Sequence, residues 1–440
     1  MRGFLILTFV LIAMPANAQS FEEALAMAYQ NNPELRAEQA ALRALDSGVT
    51  EAQSGWRPTA EAGGSAGVSW NKVRGASSTT QPKAMEASII QPIFRGGRTT
   101  AAIRAARARV MAGRASLLQT EQDVLLGTAI AYLNALRDEA VLNLNQKNEN
   151  VLNEQLNASQ SRFDVGTITK TDVSQSESRL ARAQADRISA EGNLSITRAN
   201  FARYVGQPPA TINVPELNIK LPESLEAVIG RAERYNPLVE AAIQNEAAAD
   251  SAIDEVKGTL YPEVNVVANT SRSFDQAAFF GGRIDQSRLL GELRIPLYSA
   301  GADYARLKAA RETATQRKLQ IDDARRIARE QAVAAWESLQ AAKAAIIARD
   351  AQTQAADLAL TGVRREADVG TRTTLDTLDA EQELLDARVS YITAERDVKV
   401  ATLQVLAAMG EMTAETLGLK VAYYDPKKNY DDVDGAWFGE

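Results

Sequence analysis

The chain of 440 residues contains no cysteine and no histidine. Without cysteine, a disulfide framework, an iron–sulfur cluster and a lipid-anchored amino terminus are excluded. Without histidine as well, zinc fingers, Ser-His-Asp triads and paired Cys or His nucleophiles are excluded. Catalysis would have to rely on carboxylates, lysine, tyrosine or serine alone. We therefore expect a protein that is not an enzyme and that has no resident cofactor or metal.

Positive charge is also scarce, because 49 Lys and Arg residues face 56 Asp and Glu residues and the net charge is −7. Nucleic acid is therefore not expected as a partner. One apolar run, Phe4 to Met14, follows Arg2 and precedes the small-residue site Ala16-Asn17-Ala18. This pattern is typical of a cleaved secretory signal, so we expect residues 1–18 to be removed on export.

An internal repeat is the most informative pattern in the chain. Asn32-Pro33 recurs as Asn236-Pro237, which is 204 residues later (236 minus 32), and Val165-Gly166-Thr167 recurs as Val369-Gly370-Thr371 at the same offset. Four further pairs keep this register: Pro58 and Pro262, Pro92 and Pro296, Gly97 and Gly301, Gly206 and Gly410. Matches in one register over most of the chain indicate a tandem duplication. The predicted segments are a first repeat at 19–210, a linker at 211–224, a second repeat at 225–414 and a tail at 415–440.

Each repeat predicts helices around a β-hairpin. In the first, a helix ends before Pro58, a hairpin covers 59–94 with a polar loop from Gly75 to Pro82, a long helix covers 97–162 and a return helix covers 171–204. Apolar residues alternate with polar ones or glycine from Thr59 to Asn71, as in a half-exposed strand. In the second repeat a hairpin covers 262–298, and coiled-coil helices cover 299–409. At about 1.5 Å per residue, the long helix would reach about 100 Å.

Alternating strands of about ten residues in an exported chain favour a membrane-spanning β-barrel with lipid on one face and water on the other. A small soluble sheet packed on the helices is the alternative. Four strands are too few to close a barrel, and open edges are not tolerated in lipid. Two, three or four chains with four strands each would supply 8, 12 or 16 strands. The helices would then continue the barrel as a hollow cylinder.

Several long motifs carry a family resemblance over nearly the whole mature chain. They are Asn-Asn-Pro-Glu-Leu at 31–35, Gln-Pro-Ile-Phe-Arg-Gly-Gly-Arg at 91–98, Ile-Pro-Leu-Tyr-Ser-Ala-Gly at 295–301 and the segment 369–388, which begins Val-Gly-Thr-Arg-Thr-Thr-Leu-Asp. In this order and spacing the chain resembles the TolC family of outer-membrane channel proteins. The resemblance implies an α+β membrane protein: a homotrimer whose 12-strand outer-membrane β-barrel, with four strands per chain, contacts lipid and continues as a long periplasmic α-helical barrel.

The resemblance also implies a function and partners. The trimer would be the exit duct of a tripartite export system in the outer membrane of a Gram-negative cell, with a large periplasmic part. A periplasmic adaptor (membrane fusion protein) would connect it to an inner-membrane ABC transporter or proton-driven efflux pump, and the duct would passively conduct type I secreted proteins, small toxic compounds or both. Two alternatives stay open: a dedicated multidrug efflux channel, and a periplasmic coiled-coil scaffold without a pore.

Gate residues follow from the same resemblance. Asp376 and Asp379 match acidic residues that form a ring at the pore constriction, although Asp376 is also placed to stabilise a helix amino terminus. Arg372 matches a lock residue whose partners are Thr171 and Asp172. The chain departs from the family where an aromatic lock residue is expected, because Ala367 stands there. Two alternatives follow: the resting lock is weaker, or neighbours such as Arg364 or Arg365 rebuild it.

Two further groups of residues have implied roles. Turns at the helix tips would be gripped by the adaptor: Val165, Gly166, Thr167, Val369, Gly370 and Thr371. Prolines would mark the junction of barrel and helices: Pro58, Pro92, Pro262 and Pro296. The tail from about Lys420 carries aromatic residues among acids, and the sequence leaves open whether it is disordered or wrapped on the helices.

Overall fold

The computed structural model describes residues 20–73, 75–209, 212–215, 219–275 and 282–437. The predicted signal segment and part of the predicted linker lie outside these ranges. The described helices of the first repeat are α1 (Phe21–Asn31), α2 (Pro33–Ser54), α3 (Arg98–Asp164) and α4 (Lys170–Val205). Those of the second repeat are α5 (Leu225–Tyr235), α6 (Pro237–Lys257), α7 (Ala302–Asp368) and α8 (Thr374–Ala408). The first residues of all four helices recur at the offset of the sequence repeat.

The two long helices α3 and α7 have 67 residues each. Both are rich in Ala, Arg, Leu, Gln and Glu, which lose little side-chain freedom in a helix. Within the described ranges, none of the helices combines the length and the apolar character needed to cross a membrane.

The chain divides into two compact units. Unit one comprises the described parts of residues 1–36, 118–236 and 328–423, and unit two those of 37–117, 237–327 and 424–440. In unit one, the ring of Tyr132 contacts two other buried rings, with centroid distances of 5.4 Å to Phe21 and 6.1 Å to Phe201. The Tyr132 hydroxyl donates to the carbonyl of Asn213 at 2.8 Å, so this buried polar group is satisfied.

The repeated Asn-Pro motif in unit one joins each short helix to the end of a return helix. The Asn32 Oδ1 accepts from the backbone N–H of Glu34 at 2.9 Å and caps α2, while its Nδ2 donates to the carbonyl of Tyr204 at 3.1 Å. Asn236 Nδ2 donates in the same way to the carbonyl of Ala408, the last residue of α8, at 3.2 Å. Proline suits the position after the cap, since the first helical N–H has no intrahelical partner.

Unit two contains a four-stranded antiparallel sheet in the order β1-β4-β5-β6. Its strands are β1 (Thr59–Ala66), β4 (Lys83–Arg95), β5 (Glu263–Phe274) and β6 (Arg283–Arg294). Four strands lie where the alternation predicts them, but the first ends at Ala66, because residues 69–71 belong to another strand. The predicted polar loop from Gly75 to Pro82 is wrong, because β2 (Ser69–Val73) pairs with β3 (Ala76–Thr80) in a separate ribbon. Gly75, at φ 89°, permits the reversal, and the hydroxyl-bearing residues of β3 suit a strand.

The predicted junction prolines differ in their positions. Pro58 and Pro262 directly precede β1 and β5, and Pro296 follows the end of β6. Pro92, by contrast, lies inside β4, whose last residue is Arg95, and its place at the junction of barrel and helices stays a prediction. The β4–β5 register shifts between Pro92 and Phe94. Proline has no N–H to donate to the ladder, and a bulge is the usual way for a strand to accommodate it.

The tail is ordered and packs on α2 in unit two. It contains a short helix, α9 (Lys428–Val433), which lies beside α2. The Thr50 hydroxyl donates to the carbonyl of Val433 at 2.6 Å, and Asn429 Nδ2 donates to Asp46 Oδ2 at 2.8 Å. The Arg57 guanidinium lies 5.2 Å from the centroid of the Trp437 ring. Of the two alternatives left open for this segment, the packed one is therefore correct for the described residues.

Candidate functional site

The sheet of unit two has one mainly apolar and one mainly polar face. Directly paired residues place their side chains on the same face, so the strand register sorts them. The apolar face carries a band of Ala60, Ala62, Ala87, Ile89, Val264, Val266, Ala268, Leu289 and Leu293, and beyond this band it carries the polar or charged residues Lys83, Thr270, Arg272, Arg283, Asp285 and Ser287. The polar face carries Glu61, Glu86, Ser88, Asn265, Asn269, Ser271, Gln286, Arg288 and Glu292, interrupted by an apolar row of Ile90, Val267 and Leu290 and, further along, by Ala84 and Ile284.

The apolar face is exposed in the single chain. Leu289 is 75% exposed and Leu293 63% exposed, and every residue of the edge strand β6 is exposed. The sheet ends at β1 on one side and at β6 on the other. Open edges next to a broad apolar surface are unstable in water and in lipid alike, unless further strands complete the sheet.

The two helix-tip turns of unit one have the same backbone design. Gly166 and Gly370 follow the ends of α3 and α7 in the left-handed region, at φ 78° and 81°. The next residue in each turn, Thr167 or Thr371, donates both its N–H and its hydroxyl to a carbonyl five residues earlier, at 2.8–3.0 Å. This is the Schellman arrangement, which explains the Gly-Thr pair. The valine before each glycine is 75% exposed.

The predicted acidic and polar gate residues begin the return helices. Thr169 and Thr373 are the caps of α4 and α8, and each forms a capping box with an aspartate three residues later, Asp172 or Asp376. Bonds from the Thr169 hydroxyl and N–H lower the pKa of Asp172. Bonds from the Thr373 N–H and hydroxyl likewise lower the pKa of Asp376. Both carboxylates are therefore held in the charged form.

The structure does not bring the predicted lock residues together within one chain. Arg372 Nε donates to Glu366 Oε2 at 2.8 Å, and this bond raises the pKa of Arg372. The carboxylate of Asp172 is engaged by Thr169. Among the described residues, Arg372 therefore bonds within its own helical hairpin, to Glu366. The sequence did not suggest this partner, because a turn separates the two residues.

Arg364, one of the predicted neighbours of Ala367 at the lock, has its bond within its own helical hairpin. Arg364 Nη2 donates to Oε1 of the buried Glu381 at 2.9 Å, which joins α7 to α8. Asp379 has a different partner, because Arg179 on α4 donates to its Oδ1. Arg179 carried no motif in the sequence, and only the packing of α4 against α8 identifies it.

These features define a class of protein. A sheet with one lipid-compatible face, one polar face and two open edges, joined to long paired helices with acidic tips, is typical of a membrane channel.

Comparison with known proteins identifies the family. The sequence matches the family described as outer membrane efflux protein over residues 24–207 and 228–411. The chain is 31% identical to the outer membrane efflux protein BepC of Brucella suis biovar 1 (strain 1330) over 433 residues, which cover 98% of this chain and 94% of BepC. It is 24% identical to the outer membrane protein TolC of Escherichia coli (strain K12), over 68% of this chain and 64% of TolC.

Among solved structures, the outer-membrane channel OprN has a TM-score of 0.77 to this chain at 19% identity, covering 89% of this chain and 90% of OprN. This likeness concerns the fold. The chain belongs to the outer membrane efflux protein family. It is an outer-membrane export channel, as the family resemblance of its motifs predicts.

Proposed function

We propose that three copies of the chain form one exit duct, with a 12-strand barrel made of four strands per chain. The observation that carries this proposal is the open sheet. Its apolar face, which includes Leu289 and Leu293, suits lipid, and its polar face suits a water-filled lumen. The edges at β1 and β6 obtain their missing partners from neighbouring copies.

In this assembly the helices continue the lumen into the periplasm, and the tips close it at rest. Asp376 and Asp379 form the acidic ring of the constriction, and Arg372 takes part in closure. The exposed Val165 and Val369 at the tips offer apolar contacts to a periplasmic adaptor. The adaptor connects the duct to an inner-membrane ABC transporter or a proton-driven pump, which supplies the energy.

Small toxic compounds are the first cargo to test. The relative that covers 98% of the chain is named an efflux protein, which favours this choice over type I secreted proteins. Deleting the gene should lower the concentrations of toxic compounds that the cell tolerates. If tolerance is unchanged and a secreted protein disappears from the medium instead, secretion is the correct assignment.

Planar-bilayer conductance tests the duct itself. Purified protein in detergent should insert into a bilayer, form channels of low resting conductance and have the mass of three chains by native mass spectrometry. A soluble protein that forms no channels would be the scaffold without a pore. A different number of chains would refute the trimer but leave the pore.

A further inference from the structure

Two helical hairpins of unit one, α3–α4 and α7–α8, contact each other near their tips. At this contact the Arg179 guanidinium donates through Nη2 to Oδ1 of Asp379. The Arg179 side chain is 25% exposed and that of Asp379 57% exposed. Arg179 is thus largely covered, whereas Asp379 keeps a face toward solvent.

An apolar cluster lies beside this ion pair. Leu378, which precedes Asp379 and is 1% exposed, packs with Leu152 of α3 and Ala183 of α4. Leu180, which follows Arg179, packs against the same cluster. Both members of the ion pair therefore adjoin residues that are held in a packed contact, so the charges are positioned by the helices that carry them. A positioned pair loses less side-chain freedom on bonding than a free surface pair does.

The tandem repeat does not reproduce the ion pair. The residue 204 positions after Arg179 is Glu383, and the residue 204 positions before Asp379 is Gln175. A glutamate and a glutamine cannot form an ion pair, so Glu383 and Gln175 do not repeat this interaction. The charges at this contact are hence specific to it, unlike the capping boxes and Gly-Thr turns, which both repeats share.

We propose that Arg179 is a clasp residue of the gate. It holds α8 to α4 in the resting state, and it neutralises Asp379, so that Asp379 adds less negative charge to the constriction than Asp376 does. Arg179 is thus a positioning residue that sets both the resting opening and the ion selectivity. This inference rests on the proposed function, because it assigns Asp379 to the constriction.

Arg179→Ala separates the clasp from a merely structural role. Removing the cation should raise the resting conductance, by about threefold to fivefold if the lost bond is worth as much as a well-placed surface pair. It should also raise the preference for cations, since Asp379 is left uncompensated. If Arg179 had only a structural role, its loss would raise the conductance but leave the preference for cations unchanged or lower it.

The chain offers matched controls on the same helix. Arg182 pairs with Asp186 of its own helix α4 at 3.7 Å, so Arg182→Ala removes an equal charge without touching α8. It should leave both readouts unchanged. Arg179→Lys should stay close to the wild type in selectivity, and the double exchange Arg179→Asp with Asp379→Arg should restore the low resting conductance.

A crosslink provides a direct test of the contact. The chain has no cysteine, so Arg179→Cys combined with Asp379→Cys introduces the only thiols. A flexible bismaleimide that spans about the length of the Arg179 side chain should link the two thiols and hold the channel at its resting conductance. A linked channel whose conductance stays as high as that of the unlinked variant would count against the clasp.

The outcomes distinguish the clasp from the duct. If the wild type forms channels and Arg179→Ala behaves like Arg182→Ala, the clasp is refuted and the proposed function stands. If the wild type forms no channels, the proposed function fails first. If Arg179→Ala does not assemble, the charge exchange decides, because it keeps both charges: restored resting conductance supports the clasp, and a leaky channel refutes it.

Discussion

Gly410 offers a sharp test of how the two repeats differ in packing. Gly206 and Gly410 are equivalent positions just after the return helices, and both have positive φ, at 89° and 81°. An alanine in this left-handed conformation costs roughly 1–2 kcal/mol, partly offset by about 0.4–1 kcal/mol because alanine also restricts the unfolded chain. On backbone strain alone, the two substitutions would therefore destabilise the protein equally, by about 1 kcal/mol.

Their surroundings are not equal. A Cβ added at Gly206 meets open space, whereas one added at Gly410 runs into the backbone of Tyr235 and Asn236. This backbone is held in place, since Asn236 Nδ2 donates to the carbonyl of Ala408 at 3.2 Å. Overpacking against a backbone that cannot give way costs roughly 1–3 kcal/mol more. We therefore expect Gly410→Ala to cost about 2–4 kcal/mol in total.

Thermal unfolding followed by far-ultraviolet circular dichroism, in one detergent and at one protein concentration, measures this difference. Gly206→Ala is the matched control, because it introduces the same methyl group at a similar positive φ. The unfolding temperature should fall slightly for Gly206→Ala and clearly further for Gly410→Ala. Equal losses would refute the reasoning, because they would mean that backbone strain decides and that the contact with Tyr235 yields freely.

Three expectations concern the gate. Asp376→Asn should weaken the cation preference, seen as a smaller reversal potential in a salt gradient; an unchanged potential would contradict a place for Asp376 at the constriction. Arg372→Ser should raise the resting conductance because its bond to Glu366 is lost, and no change would place the lock elsewhere. The bonds from Thr373 lower the pKa of Asp376 in the folded protein. The negative charge and the stabilisation by the cap are therefore fully present above the ordinary aspartate pKa of about 3.9, and both are lost as the pH falls through the lower pKa of the folded state. Cation preference attributable to Asp376 should hence stay constant from about pH 8 to about pH 5, and a decline already near pH 6 would refute this assignment.

The bonds near the helix tips are of two kinds, and this difference suits the proposed gate. In the described residues, the tips use local bonds that both repeats share, and these survive a movement of whole hairpins because each lies within one hairpin. The bond between Arg179 and Asp379 joins two hairpins. A movement that separates the hairpins would break this bond first, while the capping boxes and turns would remain intact.

Much of the fold follows from the sequence alone, because local patterns determine it. The repeat offset, the four long strands and the long and return helices depend on periodicity and caps within short segments. The Asn-Pro and Val-Gly-Thr motifs have local explanations as well: a cap before a helix, and a left-handed turn after one. The side-chain alternation also predicts the apolar and polar faces of the sheet.

Tertiary structure decides the rest, because it brings together residues that are distant in sequence. The partner of Arg179, the position of the tail on α2 and the backbone contact at Gly410 depend on which elements pack side by side. The ribbon of β2 and β3 depends on pairing that a polar segment does not reveal. The sequence shows that the second repeat has Glu383 in place of Arg179, but only the packing of α4 against α8 shows that Arg179 forms an ion pair with Asp379 at the candidate gate.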